Sequence, residues 1–220
     1  RLGVGDSPRL GAVRQVAVAQ EDDGSRVFER DAHRLEGGAE AGDWFGWRLT
    51  AGDFNGDGLM DFATGKRYWA HNGNDPDAAG PAVIYWFELK RGANKTAEFI
   101  PHLIDSDSGV GTQITAGDLN GDGKLDIITA NRDSDTVSVL LGNGNGTFQG
   151  QQTFDTGSNP RSVTLGDVNG DGNLDIITAN RDSNSASVLL GNGNGSFTTN
   201  FFVMSKRKDD GSFRLKILLQ

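Results

Sequence analysis

Apolar residues in this chain recur on a period of two, in short runs separated by Gly/Asn/Asp clusters. That pattern predicts strands and tight turns. Residues 12–20, Ala-Val-Arg-Gln-Val-Ala-Val-Ala-Gln, alternate as one strand; Glu21 to Ser25 turns, and Arg26 to Arg30 returns as its partner. Residues 31–43 are Gly/Ala/Glu-rich and form a connection, with a short helix as the alternative.

From about Trp44 the pattern repeats. Asp118 and Asp167 are 49 residues apart, as are Asn131 and Asn180, and Gly142 and Gly191. The first unit is longer, with 65 residues from Asp53 to Asp118, and its surplus lies in an aromatic insertion from Lys66 to Glu88. Within a unit, a short alternating strand (Ser162 to Leu165) enters a polar loop and an apolar strand (Asp175 to Ala179) leaves it. A third strand alternates, with Val137, Val139 and Leu141 on one face in one unit and Ala186, Val188 and Leu190 in the next. A Gly-Asn-Gly-Asn-Gly turn and a fourth strand (Ser196 to Thr198) close the unit. Four strands in about 49 residues is the size of one propeller blade.

The expectation is an all-β chain of tandem four-stranded antiparallel propeller-type blades, as a partial propeller or an open array. The boundaries are 1–43 for an N-terminal hairpin and connection, 44–110 for the first repeat with its insertion, 111–158 for the second and 159–203 for the third. Residues 204–220 form a C-terminal strand or hairpin, in which Asp209-Asp210-Gly211-Ser212 echoes Asp22 to Ser25.

The polar loop is the same in every unit: Asp-x-Asn-Gly-Asp-Gly-x-x-Asp. It places hard oxygen donors at Asp53, Asn55, Asp57 and Asp61, at Asp118, Asn120, Asp122 and Asp126, and at Asp167, Asn169, Asp171 and Asp175. Backbone carbonyls of Leu59, Lys124 and Asn173, at the seventh position, are the expected fifth donors. Oxygen donors on alternate residues, with Gly to supply the tight turn, are what a chain needs to wrap a calcium ion. An EF-hand would require Glu at position 12 and flanking helices. Position 12 is Thr64, Thr129 and Thr178, and β-formers follow each loop; a dockerin-like arrangement fails for the same reason. Magnesium prefers a smaller shell rich in water. A metal-free Asx/Gly turn is the bland alternative.

Charge agrees with metal loops. The net charge of −9 comes from 30 acids and 21 bases, and without the nine loop aspartates the two signs balance. Nothing indicates a basic surface for nucleic acid. Gly is abundant, 32 of 220 residues, and clusters in turns. The absence of Cys excludes a disulfide scaffold or thiolate metal site. No apolar run reaches membrane-spanning length. A start at Arg1 without Met or signal peptide suggests a mature form or a fragment.

The stretch Gly117-Asp118-Leu119-Asn120-Gly121-Asp122-Gly123-Lys124-Leu125-Asp126-Ile127-Ile128-Thr129-Ala130-Asn131 resembles the FG-GAP and VCBS repeats, the calcium-bearing blades of integrin-α propellers and of many bacterial secreted proteins. The resemblance spans about residues 44–203. It implies four-stranded blades with a calcium ion in the loop joining the first two strands, about three ions in all. It also implies an extracellular or cell-surface setting, a bacterial secreted source, and binding or adhesion in place of catalysis. Propellers of the family close with about seven blades, whereas three repeats are counted here. That shortfall raises a fragment, an open stack, or self-association into an extracellular fibre.

Other features compete. Tyr68, Trp69, His71, Tyr85 and Trp86, with Trp44 and Trp47 upstream, form either a stacking platform for a polysaccharide or core packing between blade one and its neighbour. His33, His71 and His102 lack metal-ligand spacing. Asn94, Asn145 and Asn194 open glycosylation sequons. No nucleophile elbow or phosphate loop stands out, so an enzyme such as a lyase or hydrolase is the weaker alternative. The leading expectation is a secreted calcium-binding repeat protein with a structural or adhesive role; a glycan-binding module is the runner-up.

Overall fold

The structure, a computed structural model, describes residues 48–66, 82–107, 113–205 and 214–218. Its strands form three sheets, each an antiparallel meander of sequence neighbours. The first contains β1 (Leu49–Gly52), β2 (Asp61–Lys66), β3 (Val83–Arg91) and β4 (Ala97–Asp105). The second contains β5 (Gln113–Gly117), β6 (Asp126–Asn131), β7 (Thr136–Leu140) and β8 (Gln152–Asp155). The third contains β9 (Pro160–Gly166), β10 (Asp175–Asn180), β11 (Ser185–Gly191), β12 (Phe197–Ser205) and β13 (Arg214–Leu218). The expected N-terminal hairpin and most of the aromatic insertion lie outside the described residues.

Two features differ from the pattern-based expectation. β12 runs unbroken through Phe197–Ser205, so the fourth strand of the third repeat and the strand of the C-terminal hairpin are one element. β13 then pairs with β12 as a fifth strand, from Phe201 opposite Leu218 to Ser205 opposite Arg214. In addition, Val83 to Glu88, read as part of an insertion, belong to β3, a regular strand pairing with both β2 and β4.

The second sheet is apolar on both faces, because it is sandwiched between the other two. Directly opposed residues share a face. Ile127 opposes Leu140 on one face of the second sheet, and Ile128 opposes Val139 on the other. The first face, with Ile114, packs against Phe54, Ala63, Ile84 and Trp86 of the first sheet. The second face, with Leu119, Ala130, Val137 and Leu141, packs against Val163, Ile176 and Leu189 of the third sheet. Double-sided burial explains why β6 reads Asp-Ile-Ile-Thr-Ala-Asn rather than alternating. Each fully buried Ile or Leu contributes roughly 1.5–3 kcal/mol. First strands of successive sheets adjoin, β1 beside β5 and β5 beside β9, which arranges the sheets as consecutive blades.

One contact between blades depends on glycine. Gly146, in the Gly-Asn turn of the second blade, donates its N–H to the Phe54 carbonyl of the first at 3.0 Å. It sits at φ +79° with its would-be Cβ 2.3 Å from Trp86 Cζ2. Trp86 packs against Phe54 and stacks on His102, with ring centroids 4.5 Å apart.

Candidate metal centres

All three Asp-x-Asn-Gly-Asp-Gly-x-x-Asp loops join the first two strands of their blades. Glycines at their fourth and sixth positions take positive φ, from +76° and +83° at Gly56 and Gly58 to +79° and +87° at Gly170 and Gly172. That curl folds the loop over its own first residue. Asp53 accepts N–H bonds from Gly56 (2.7 Å), Asp57 (3.1 Å) and Gly58 (2.8 Å). Asp118 accepts from Asp122 and Gly123, and Asp167 from Gly170 and Gly172. The side-chain oxygens of Asn55, Asn120 and Asn169 accept from the fifth-position N–H at 3.0–3.1 Å. Those of Asp57, Asp122 and Asp171 accept from the N–H of Leu59, Lys124 and Asn173 at 2.8–3.0 Å.

The ninth-position aspartates are different: Asp61, Asp126 and Asp175 are 1%, 0% and 0% exposed. In each, Oδ2 accepts the N–H of the second loop residue: Phe54, Leu119 or Val168. Oδ1 accepts an N–H in or just after the third strand, from Leu89, Gly142 or Gly191, at 2.8 Å. The buried carboxylate therefore staples loop to blade, a role the sequence reading did not assign to it.

The donor chemistry fits a hard divalent cation. Each loop offers three carboxylates and an amide oxygen within nine residues. Burial pushes the Asp126 carboxyl up to about 6, and the charges of Asp122 and Asp118 push the same way against the N–H bonds from Gly142 and Leu119. Asp61 is raised too, by burial first, with Asp57 and Asp53 adding to it. Like charges are thus crowded in both loops, and a cation would relieve them. Among the described residues, no three Asp, Glu or His side chains stand as a finished metal shell; the loop carboxylates are turned onto backbone amides. A carboxylate oxygen that accepts one N–H retains lone-pair capacity for an ion.

A fourth carboxylate beside the first loop escaped the sequence reading. Glu88 accepts from Asn55 Nδ2 at 2.9 Å, lies 3.1 Å from His102 Nε2 and pairs with Lys90. Its place in β3 corresponds to Leu141 and Leu190 of the other repeats, so a charge at an apolar repeat position was the available signal. Lys90, then His102, hold its carboxyl below the usual range. Of the candidate sugar platform, Trp86 (3% exposed) packs between the first blade and the second, as the core alternative required, while Tyr85 (6% exposed) is buried on the opposite face of β3. Tyr68, Trp69, His71, Trp44, Trp47 and His33 lie outside the described residues.

Two segments of the chain match models of known repeats. Residues 118–178 match the model for an FG-GAP-like repeat, and residues 45–85 match that for an FG-GAP repeat. A search of curated proteins returns no match. Among solved structures, the chain resembles a lectin from Agrocybe aegerita, described as recognising non-reducing terminal N-acetylglucosamine, with a TM-score of 0.44 and 23% identity. The alignment covers 68% of this chain and 36% of that one. The two matched segments take in all three loops, so the chain carries repeats similar to FG-GAP repeats at residues 45–85 and 118–178, and its described residues form an all-β arrangement of open, propeller-type blades.

Proposed function

We propose that this is a non-catalytic calcium-binding repeat protein with a structural or adhesive role at the cell surface or outside the cell, working by self-association. The observation that carries the calcium reading is the threefold recurrence of one loop: identical donor types at identical positions, the same positive-φ glycines, and the same ninth aspartate buried at the base. Asp53, Asn55, Asp57, Asp61 and the Leu59 carbonyl would hold the first ion. Asp118, Asn120, Asp122, Asp126 and the Lys124 carbonyl would hold the second; Asp167, Asn169, Asp171, Asp175 and the Asn173 carbonyl would hold the third. The ion neutralises carboxylates that otherwise repel, and it braces the connection between two strands of each blade.

The energetic expectation is direct. At free calcium ~100 times the dissociation constant, each occupied site adds about 2.7 kcal/mol to stability. Thermal melts with calcium and with excess chelator test it. A substantial drop on chelation supports structural calcium; superimposable curves reject it. No described residue favours the glycan-binding alternative, since Tyr85 and Trp86 are interior.

A further inference from the structure

The Gly-Asn turns of the second and third blades share a sequence but are tied differently. In the second blade the turn runs from Gly142 to Gly146. Its first N–H, of Gly142, is received at 2.8 Å by Asp126, the ninth residue of the second loop. Its last, of Gly146, is received at 3.0 Å by the Phe54 carbonyl in the first loop. The Phe54 N–H is received in turn at 3.2 Å by Asp61, the ninth residue of that loop. The turn is braced internally: the Asn143 N–H reaches the Thr147 carbonyl at 2.9 Å, and Asn145 Oδ1 accepts the Thr147 N–H at 3.1 Å. The Gly144 carbonyl also closes on the first loop, 3.2 Å from where a Cβ on Gly56 would stand. One short, braced segment thus connects the buried aspartates of two separate loops.

The third blade breaks that connection. Gly191 donates to Asp175 at 2.8 Å, and the Asn192 N–H reaches the Ser196 carbonyl at 3.1 Å, as in the second blade. Among the described residues, however, no N–H of this turn reaches the second loop; Gly195 lies instead against the Leu141 side chain. At Gly121, the second-loop counterpart of Gly56, a Cβ would meet nothing within 4 Å.

We infer that the Gly142–Gly146 turn is a positioning element shared by the first two calcium sites, so that an ion at either one tightens the other, while the third site binds on its own. This rests on the calcium reading above. Asp126, once held by an ion, fixes Gly142 and the start of the turn. A fixed turn holds Phe54 and Gly56 in the curl that the first site needs, so less ordering remains when the first loop closes on its ion. The turn is the element with two states, seated on the first loop or lifted from it, and both sites favour the seated one. Linkage makes the effect reciprocal.

Calorimetric calcium titrations of paired-site variants test this. Asp167→Ala leaves the first two loops intact, and Asp53→Ala leaves the last two. Asp167→Ala combined with Gly146→Ala keeps the first pair but disturbs the connecting bond. Far-UV circular dichroism verifies folding at the titration temperature. Asp167→Ala should take its two ions cooperatively, the second about five-fold or more tighter than the first. Asp53→Ala should take its two ions independently. Adding Gly146→Ala to Asp167→Ala should abolish the cooperativity while both ions still bind; if that protein does not fold, the comparison of the two pairs decides. Three outcomes overturn the inference: independent binding in Asp167→Ala, equal cooperativity in both pairs, or cooperativity that survives Gly146→Ala. Two independent ions in Asp167→Ala would sink this inference alone, whereas no calcium heat from any variant would sink the calcium reading itself.

Discussion

Gly146→Ala and Gly123→Ala place the same methyl group on nearly the same backbone, φ +79° and +80°, in different surroundings. Each pays for a left-handed alanine, roughly 1–2 kcal/mol. A Cβ at Gly123 meets nothing within 4 Å. A Cβ at Gly146 lies 2.3 Å from Trp86 Cζ2 and 3.0 Å from Cη2. Trp86 is 3% exposed and held between Phe54 and His102, so its ring has no free direction in which to retreat. Overpacking of this kind adds about 1–3 kcal/mol. The expected totals are therefore ~2–5 kcal/mol for Gly146→Ala and ~1–2 for Gly123→Ala. At about 2–4 °C per kcal/mol, the melting midpoint should fall by roughly 4–20 °C for the first and about 2–8 °C for the second. Melts in excess chelator, followed by tryptophan fluorescence and circular dichroism, separate the two without interference from metal. Equal midpoints would refute the claim that the Gly-Asn turn of one blade seats on the Trp86 ring of its neighbour.

Three further outcomes are expected. Leu119→Ala should cost about 2–5 kcal/mol by opening a cavity between blades two and three, while Val168→Ala at the equivalent but exposed position should stay within about 0.5 kcal/mol in dilute protein; chemical denaturation compares them, and similar losses would contradict the burial difference. Because the Asp126 carboxyl is raised to about 6, the folded state binds its proton more tightly than the unfolded chain does. Its stabilising effect in chelated protein is full below about pH 4 and lost as pH rises through about 6, so wild type should gain on Asp126→Asn in melts run at decreasing pH, and a constant difference would be inconsistent with the shift. Glu88→Gln should weaken calcium binding at the first loop by a few-fold, leaving the other two loops unchanged, since the loop donor that leans on this carboxylate is Asn55 of the first loop; a titration with unchanged first-site affinity would argue against it.

The strand–loop–strand grammar was legible because its constraints are local. Gly56 and Gly58 are required by positive φ, Asp53 by the amides it gathers, and Ile127 and Ile128 by burial on both faces. Less visible were features set by distant partners. Glu88 reaches Asn55 across 33 residues, and the buried Asp61 reaches Leu89 across 28. Trp86, within a stretch that reads as an insertion, takes the place of Val139 in the next repeat, and only Gly146 opposite leaves room for so large a ring. The fourth strand of the third repeat reads from the sequence as Ser196 to Thr198, yet pairing with β11 on one side and β13 on the other holds the chain extended from Phe197 to Ser205.

Calorimetric titration of chelator-stripped protein with calcium tests the central claim most directly. Three ions per chain are expected, falling to two when any one of Asp53, Asp118 or Asp167 is changed to Ala. No binding heat, or a stoichiometry that ignores those substitutions, would contradict it.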